Sequence, residues 1–203
     1  MMNPLEMDAS RMLRHYRADQ GHAMRVRSYA LQILSWVLAS AGDDAAGQEA
    51  GQDMTSRLQL RLSLASLLHD VGHLINNKNH HRHTRYIITH DDRTALWDRS
   101  MRDEVAVIAF AHRKRAKSSW SEDLFHGDIH LMQLAAILRI ADGLDRRHSP
   151  GVEILGYKVE DKMFTLRVQG LRLPDAAHVE ERKADLWTEV FPHGFTLNIS
   201  TLP

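Results

Sequence analysis

Four histidines and two aspartates are the candidates for chemistry in this chain: His22, the adjacent pair His69-Asp70, His83, His112 and Asp142. Each stands beside or within an apolar segment. Imidazole nitrogen and carboxylate oxygen together suit a borderline or hard divalent metal ion. No cysteine is present, which excludes a thiol nucleophile, a disulfide framework and a thiolate metal site. Fourteen histidines in 203 residues exceed any packing need, so their placement decides what they do. Taken singly, each has a plain alternative. His69 and Asp70 can hydrogen-bond each other, and a lone His22 on an apolar helix face is more often a core histidine with a satisfied partner. Asp142 can be neutralised by Arg139 or Arg146.

The elements that would position these residues are mostly helical. Leu58, Leu60, Leu62, Leu64, Ala65, Leu67 and Leu68 predict a buried helix, capped at Thr55 or Ser56, that delivers His69 and Asp70 to an interior edge, with Gly72 letting the chain leave it. From His22 the apolar positions Val26, Tyr29, Ile33 and Val37 recur at helical steps, placing His22 on the buried face of a helical region over residues 8–39 that Gly21 interrupts. Residues 40–56, rich in Gly, Ala, Gln and Asp, read as a solvated loop. In the run 80–83, His80 and His81 read as a solvated basic strip, whereas Tyr86 and Ile87 follow His83 at helical steps and predict that it turns inward. Val105 to Phe110 lead into His112, and the apolar run 131–144 carries Asp142. A carboxylate after such a run needs a partner, since burying it bare costs several kcal/mol.

The chain is long enough for one good core, or one core with a small appendage. Lys+Arg and Asp+Glu are both 26, so no bulk basic field argues for nucleic acid or an acidic membrane surface. No apolar run reaches membrane-spanning length, and residues 1–9 lack signal-peptide features, so the expected compartment is the cytoplasm. Past Pro150 the periodicity changes from helical to alternating. Residues 152–159 and 164–168 predict a hairpin around Glu160-Asp161-Lys162, residues 174–191 a helix, and residues 195–199 a last strand. The expected organisation is a helical metal-binding domain over 1–150 and an α+β appendage over 151–203.

The order His22, His69-Asp70, Asp142 resembles the signature of the HD superfamily of metal-dependent phosphohydrolases. The phrase from Leu138 to Arg146, with Ala141-Asp142-Gly143-Leu144-Asp145, and the element His112-Arg113-Lys114 are similar to the carboxy-terminal HD-like region of the exopolyphosphatase and guanosine pentaphosphate phosphohydrolase (Ppx/GppA) family. The likeness covers about residues 11–150. It implies a mainly α, HD-type bundle that keeps a full ligand set, without the amino-terminal actin-like domain in which that family places its phosphatase site. His73 stands where many HD proteins have a lysine.

On that resemblance, Asp70 would bridge two divalent ions, with His22, His69 and Asp142 on one side and His83 and His112 on the other. Manganese, iron and zinc suit the imidazole-rich set, and magnesium alone suits it less. Arg113, Lys114 and Arg146 are the candidates for neutralising phosphate charge. The expected function is hydrolysis of a nucleotide, polyphosphate or other small phosphate ester or anhydride by a metal-activated water. The alternative is a regulatory module that binds metal and a phosphorylated ligand without turnover. The sequence leaves the oligomeric state open, a homo-oligomer included.

Overall fold

The computed structural model describes residues 3–40, 48–117 and 119–200. Helix α1 (Pro4–His15) begins with Asn3 accepting from the Leu5 amide and proline in its first turn, a start that satisfies one orphan donor and removes another. It ends at Tyr16 and Arg17, where φ of 51° at Arg17 turns the chain before α2 (Gln20–Ser40). The interruption therefore precedes Gly21, which lies in the first turn of α2.

Helix α3 (Gln48–Leu68) is longer than the apolar pattern predicted. Residues 48–56 are helical rather than loop, and Thr55 and Ser56 lie inside the helix, where the Ser56 hydroxyl donates to the Gln52 carbonyl. Gln, Glu, Ala and Met are good helix formers, so a solvated stretch can extend a helix whose other half is buried. Residues 41–47 of the expected loop lie outside the described residues.

A short 3₁₀ turn (Val71–Leu74) leads to α4 (His80–His90), and α5 (Arg99–Phe110) starts at Asp98, which accepts from the Met101 amide. A single turn, α6 (Trp120–Asp123), precedes α7 (Ile129–Leu144), which Asp128 caps by accepting from the His130 and Leu131 amides. Helix α7 is buried along nearly all its length and packs against α2, α3 and α5. Such an all-round apolar helix can only sit at the centre of a bundle.

The C-terminal part is α+β, as the change of periodicity predicted. Strands β1 (Glu153–Glu160) and β2 (Met163–Gln169) form an antiparallel hairpin, whose turn residues Asp161 and Lys162 both have positive φ. Strand β3 (Gly194–Ser200) pairs parallel with β2, giving the order β1-β2-β3. The connection is not the single helix expected over 174–191. It breaks into α8 (Leu173–His178), a π turn (Val179–Lys183) closed by the Ala184 amide donating to the Val179 carbonyl, and α9 (Trp187–Val190). Phe164, Leu166 and Val168 of β2 face inward with Trp187 and Phe195, and one continuous apolar core joins them to the bundle. The protein is mainly α with a small C-terminal α+β part. Among the described residues no helix is long and apolar enough to cross a membrane.

Candidate metal centre

His69 and Asp70 leave the end of α3, and the 3₁₀ turn behind them packs so tightly on α4 that Gly72 has no room for a side chain. A Cβ there would stand 2.2 Å from the His80 carbonyl oxygen and 2.5 Å from the Thr84 amide. The Thr84 hydroxyl completes the junction, donating to the His69 carbonyl and accepting from the Gly72 amide. Helix α4 is thereby held against the His-Asp pair.

This docking corrects the reading of the histidine run. His80, expected in solvent, is 4 % exposed, and His81 is buried as well. His83 is half-buried and is not part of the cluster, while Tyr86, expected to draw it inward, is 61 % exposed. The inward stripe of α4 runs His80, Thr84, Ile87, Ile88, at steps of four and then three or four, one register away from the stripe read from Tyr86.

The other predicted donors converge. Asp70 faces two groups with its two oxygens. Oδ2 lies 3.6 Å from His22 Nε2 and 3.5 Å from His69 Nε2, and Oδ1 lies 3.2 Å from His80 Nε2 and 3.6 Å from His112 Nε2. Asp142 Oδ1 joins the first group, 3.5 Å from His22 Nε2 and 3.7 Å from His69 Nε2. His73 Nε2 stands at the rim, 3.4 Å from Asp70 Oδ1.

The rings are oriented by a repeated device. His69, His80 and His112 each direct Nδ1 at the carbonyl three residues earlier, those of Ser66, Asn77 and Ala109, at 2.8, 3.0 and 2.6 Å. His22 directs Nδ1 at Asp145 Oδ2, 2.7 Å away. A carbonyl or carboxylate at Nδ1 assigns the proton there and leaves Nε2 as a bare lone pair. His80 is the exception: Arg113 Nη1 also approaches its Nδ1, at 2.9 Å, and since an arginine can only donate, that bond places the ring proton on Nε2.

The two Nε2 atoms of His22 and His69 then face each other 3.1 Å apart, lone pair against lone pair, with carboxylate oxygens of Asp70 and Asp142 beside them. Such a contact needs either a proton or a metal ion between the two nitrogens. A shared proton would reconcile the two nitrogens but leave the oxygens unserved, whereas a divalent ion accepts both donor types. His80 and His112 stand Nε2 to Nε2 at 3.0 Å on the other side of Asp70. The residues present fit one or two divalent ions.

Protonation states agree with that fit. Burial opposes charge on Asp70, yet His69, His73 and His112 around it hold it well below the usual carboxylate range. Burial likewise opposes charge on Asp142, and Lys183, His22 and His69 outweigh it. Burial pushes His80 down to about 4 and His112 well below the ordinary imidazole value. His22 is the exception: burial is outweighed by Asp142, Asp145 and Asp70, and its proton is bound more firmly than usual. A metal would have to displace it.

Asp70, His73, His80, His112 and Asp142 line a cavity of about 690 Å³, while His22 and His69 are fully buried and do not line it. Arg113, Lys114 and Arg146, singled out in the sequence, all line it, together with Arg115, Arg182 and Lys183. Asp142 finds neither Arg139 nor Arg146 as its partner. Lys183 takes that place, with Nζ 2.6 Å from Oδ2. Arg139, fully buried, instead pairs with Asp185 and donates to the carbonyls of Ala111, Arg182 and Lys183.

Besides His80, two residues escaped the sequence reading. Asp145 is one helical step beyond Asp142, and the i, i+3 spacing of two acids after an apolar run was an available sign. Lys183 sits in the charged run 180–183, where nothing distinguishes it from a solvated lysine.

The structure is a helical bundle in which histidines and aspartates from several helices meet beside a cavity lined by both basic and acidic side chains. The model of the Ppx/GppA phosphatase domain III family matches residues 6–179, and the chain belongs to that family. Comparison with curated protein sequences gives no match.

Proposed function

We propose that the chain is an HD-type metal-dependent phosphohydrolase acting on a phosphate ester or anhydride. The observation that carries this reading is the division of Asp70, one oxygen toward His22 and His69 and the other toward His80 and His112. His22, His69, Asp70 and Asp142 would hold one divalent ion, and Asp70, His80 and His112 a second. Manganese, iron or zinc suits so many imidazoles better than magnesium alone. When bound, such ions supply Lewis acidity toward a phosphoryl oxygen and make water a nucleophile near neutral pH.

The remaining work falls to the chain's own side chains. Asp145 orients His22 and is itself held by Arg25. Arg113, Lys114, Arg115, Arg146 and Arg182 surround the cavity and would bind and neutralise phosphate oxygens, the arginines as planar forks. The lining offers a phosphate group many donors, and a nucleobase only the rings of histidines such as His73, His148 and His178 and the arginine planes. The phosphate portion of a nucleotide, or a short polyphosphate, would take the arginine and lysine donors.

A second reading rests on the family match, which is to a domain III and carries no activity by itself. On that reading the site binds metal and a phosphorylated ligand without turnover. Phosphate release from nucleotides, pyrophosphate, polyphosphate and simple phosphomonoesters, measured after chelator stripping and reloading with each metal, separates the two. The phosphohydrolase reading expects metal-dependent release that Asp70→Ala abolishes. Stoichiometric metal with no turnover on any of these substrates would leave the binding module.

A further inference from the structure

The C-terminal segment reaches the centre at one point. Gly143, next to Asp142, carries no side chain because the π turn lies on it: a Cβ there would stand 2.9 Å from Val179 Cγ2 and 3.1 Å from Lys183 Cγ. This contact lays the stem of Lys183 across the end of α7. Its ammonium, on a side chain only 13 % exposed, then donates to Asp142 Oδ2 at 2.6 Å and to the His112 carbonyl at 3.1 Å.

The backbone of the turn is fixed as well. Arg139, one helical turn before Asp142 on α7, donates to the carbonyls of Arg182 and Lys183 and to that of Ala111. Asp185 closes the frame by accepting from Arg139 and from the Ala116 amide. The helix that carries Asp142 thus grips both the turn that carries Lys183 and the loop that carries His112. A π turn in place of a regular helix is what brings this lysine over the site.

We infer that Lys183 is a positioning residue of the candidate metal centre, holding Asp142 by Oδ2 so that Oδ1 alone faces His22 and His69, and tying the same ammonium to the His112 backbone. This rests on the metal-centre reading above. Two effects compete when Lys183 is removed. Losing a cation near the site favours a divalent ion, whereas losing a group that orients a ligand disfavours it, typically by about 10–100-fold. The two fixed contacts of the ammonium and the anchored turn make orientation the larger effect.

The test is Mn²⁺ affinity of the metal-stripped full chain, by competition with a chelating dye, with the Co²⁺ visible spectrum as a report on coordination. Lys183→Met is expected to bind Mn²⁺ about 10–100-fold more weakly and to change the Co²⁺ bands, as Asp142 becomes free to offer both oxygens. Gly143→Ala, which displaces the turn while keeping every donor and the ammonium, is expected to weaken binding in the same direction. Lys158→Met, altering an exposed lysine paired with Glu160 on β1, is expected to leave both readouts unchanged. Folded Lys183→Met with equal or tighter Mn²⁺ binding and an unaltered Co²⁺ spectrum would overturn the inference and leave the metal reading standing. Wild-type protein that takes up neither ion would refute the metal reading and this inference with it.

Discussion

Asp70 Oδ1 lies 3.2 Å from His80 Nε2, which places the first residue of α4 in the cluster and leaves His83, a turn later, outside it. His80→Ala is therefore expected to weaken divalent-metal binding by more than about 10-fold, since it removes a donor and not just its orientation. His83→Ala should stay within about twofold of wild type. A chelator-competition titration on both folded variants checks this, and the reverse ranking would restore the register read from Tyr86.

That exchange shows what periodicity can and cannot decide. The apolar runs before His69, His112 and Asp142 were long enough to fix both the helix and the side it buries, and the structure brings these residues together around Asp70. Helix α4 has few apolar residues, and Tyr86 against Ile87 and Ile88 leaves its inward stripe ambiguous by one position. The deciding contact, Gly72 seated under the His80 carbonyl and Thr84, is tertiary. The broken helix of the tail was equally hidden, because residues 179–183 wind as a π turn on a glycine some 40 positions away in sequence. The hairpin and last strand, by contrast, followed from alternation alone.

Asp145 acts through His22. Its carboxylate meets His22 Nδ1 at 2.7 Å and Arg25 Nε at 2.9 Å, and it is buried. Asp145→Asn preserves shape but supplies an amide that can present a donor to Nδ1 and reverse the tautomer. Metal affinity is expected to fall about 10–100-fold, as for other partners that orient a ligand. Isothermal titration with Mn²⁺ measures the change, and an affinity within twofold of wild type would show that His22 needs no such support.

His81 makes the acid side of the stability profile informative. It is buried against Phe110 with its Nδ1 unpartnered among the described residues, and burial, then Lys114 and Arg113, push it down to about 4. The unfolded chain takes up this proton first as the pH falls below about 6.5, its ordinary value. Stability from a neutral His81 is thus complete above pH 6.5 and declines as the pH falls toward 4. His81→Phe, which packs a ring there without an orphaned nitrogen, should flatten the fall in Tm of metal-free protein across that window. Parallel profiles for the two proteins would place His81 in solvent after all.

Asp70→Ala removes the one side chain shared by both histidine groups. Loss of all high-affinity metal, with the helical circular dichroism unchanged, is the expected result, because α3 is held by Leu62, Leu64, Ala65 and Leu68 and not by the carboxylate. Retention of a full complement of metal by the variant would show that Asp70 does not bridge.

The most direct measurement is anomalous diffraction at the manganese edge from crystals of the metal-loaded protein. Density is expected at the point shared by His22, His69, Asp70 Oδ2 and Asp142 Oδ1, with ligand bonds of about 2.0 to 2.3 Å, and a second peak between Asp70 Oδ1, His80 and His112. Fully loaded protein with its anomalous density elsewhere, and these six side chains bound to none of it, would contradict the assignment of this cluster as the metal centre.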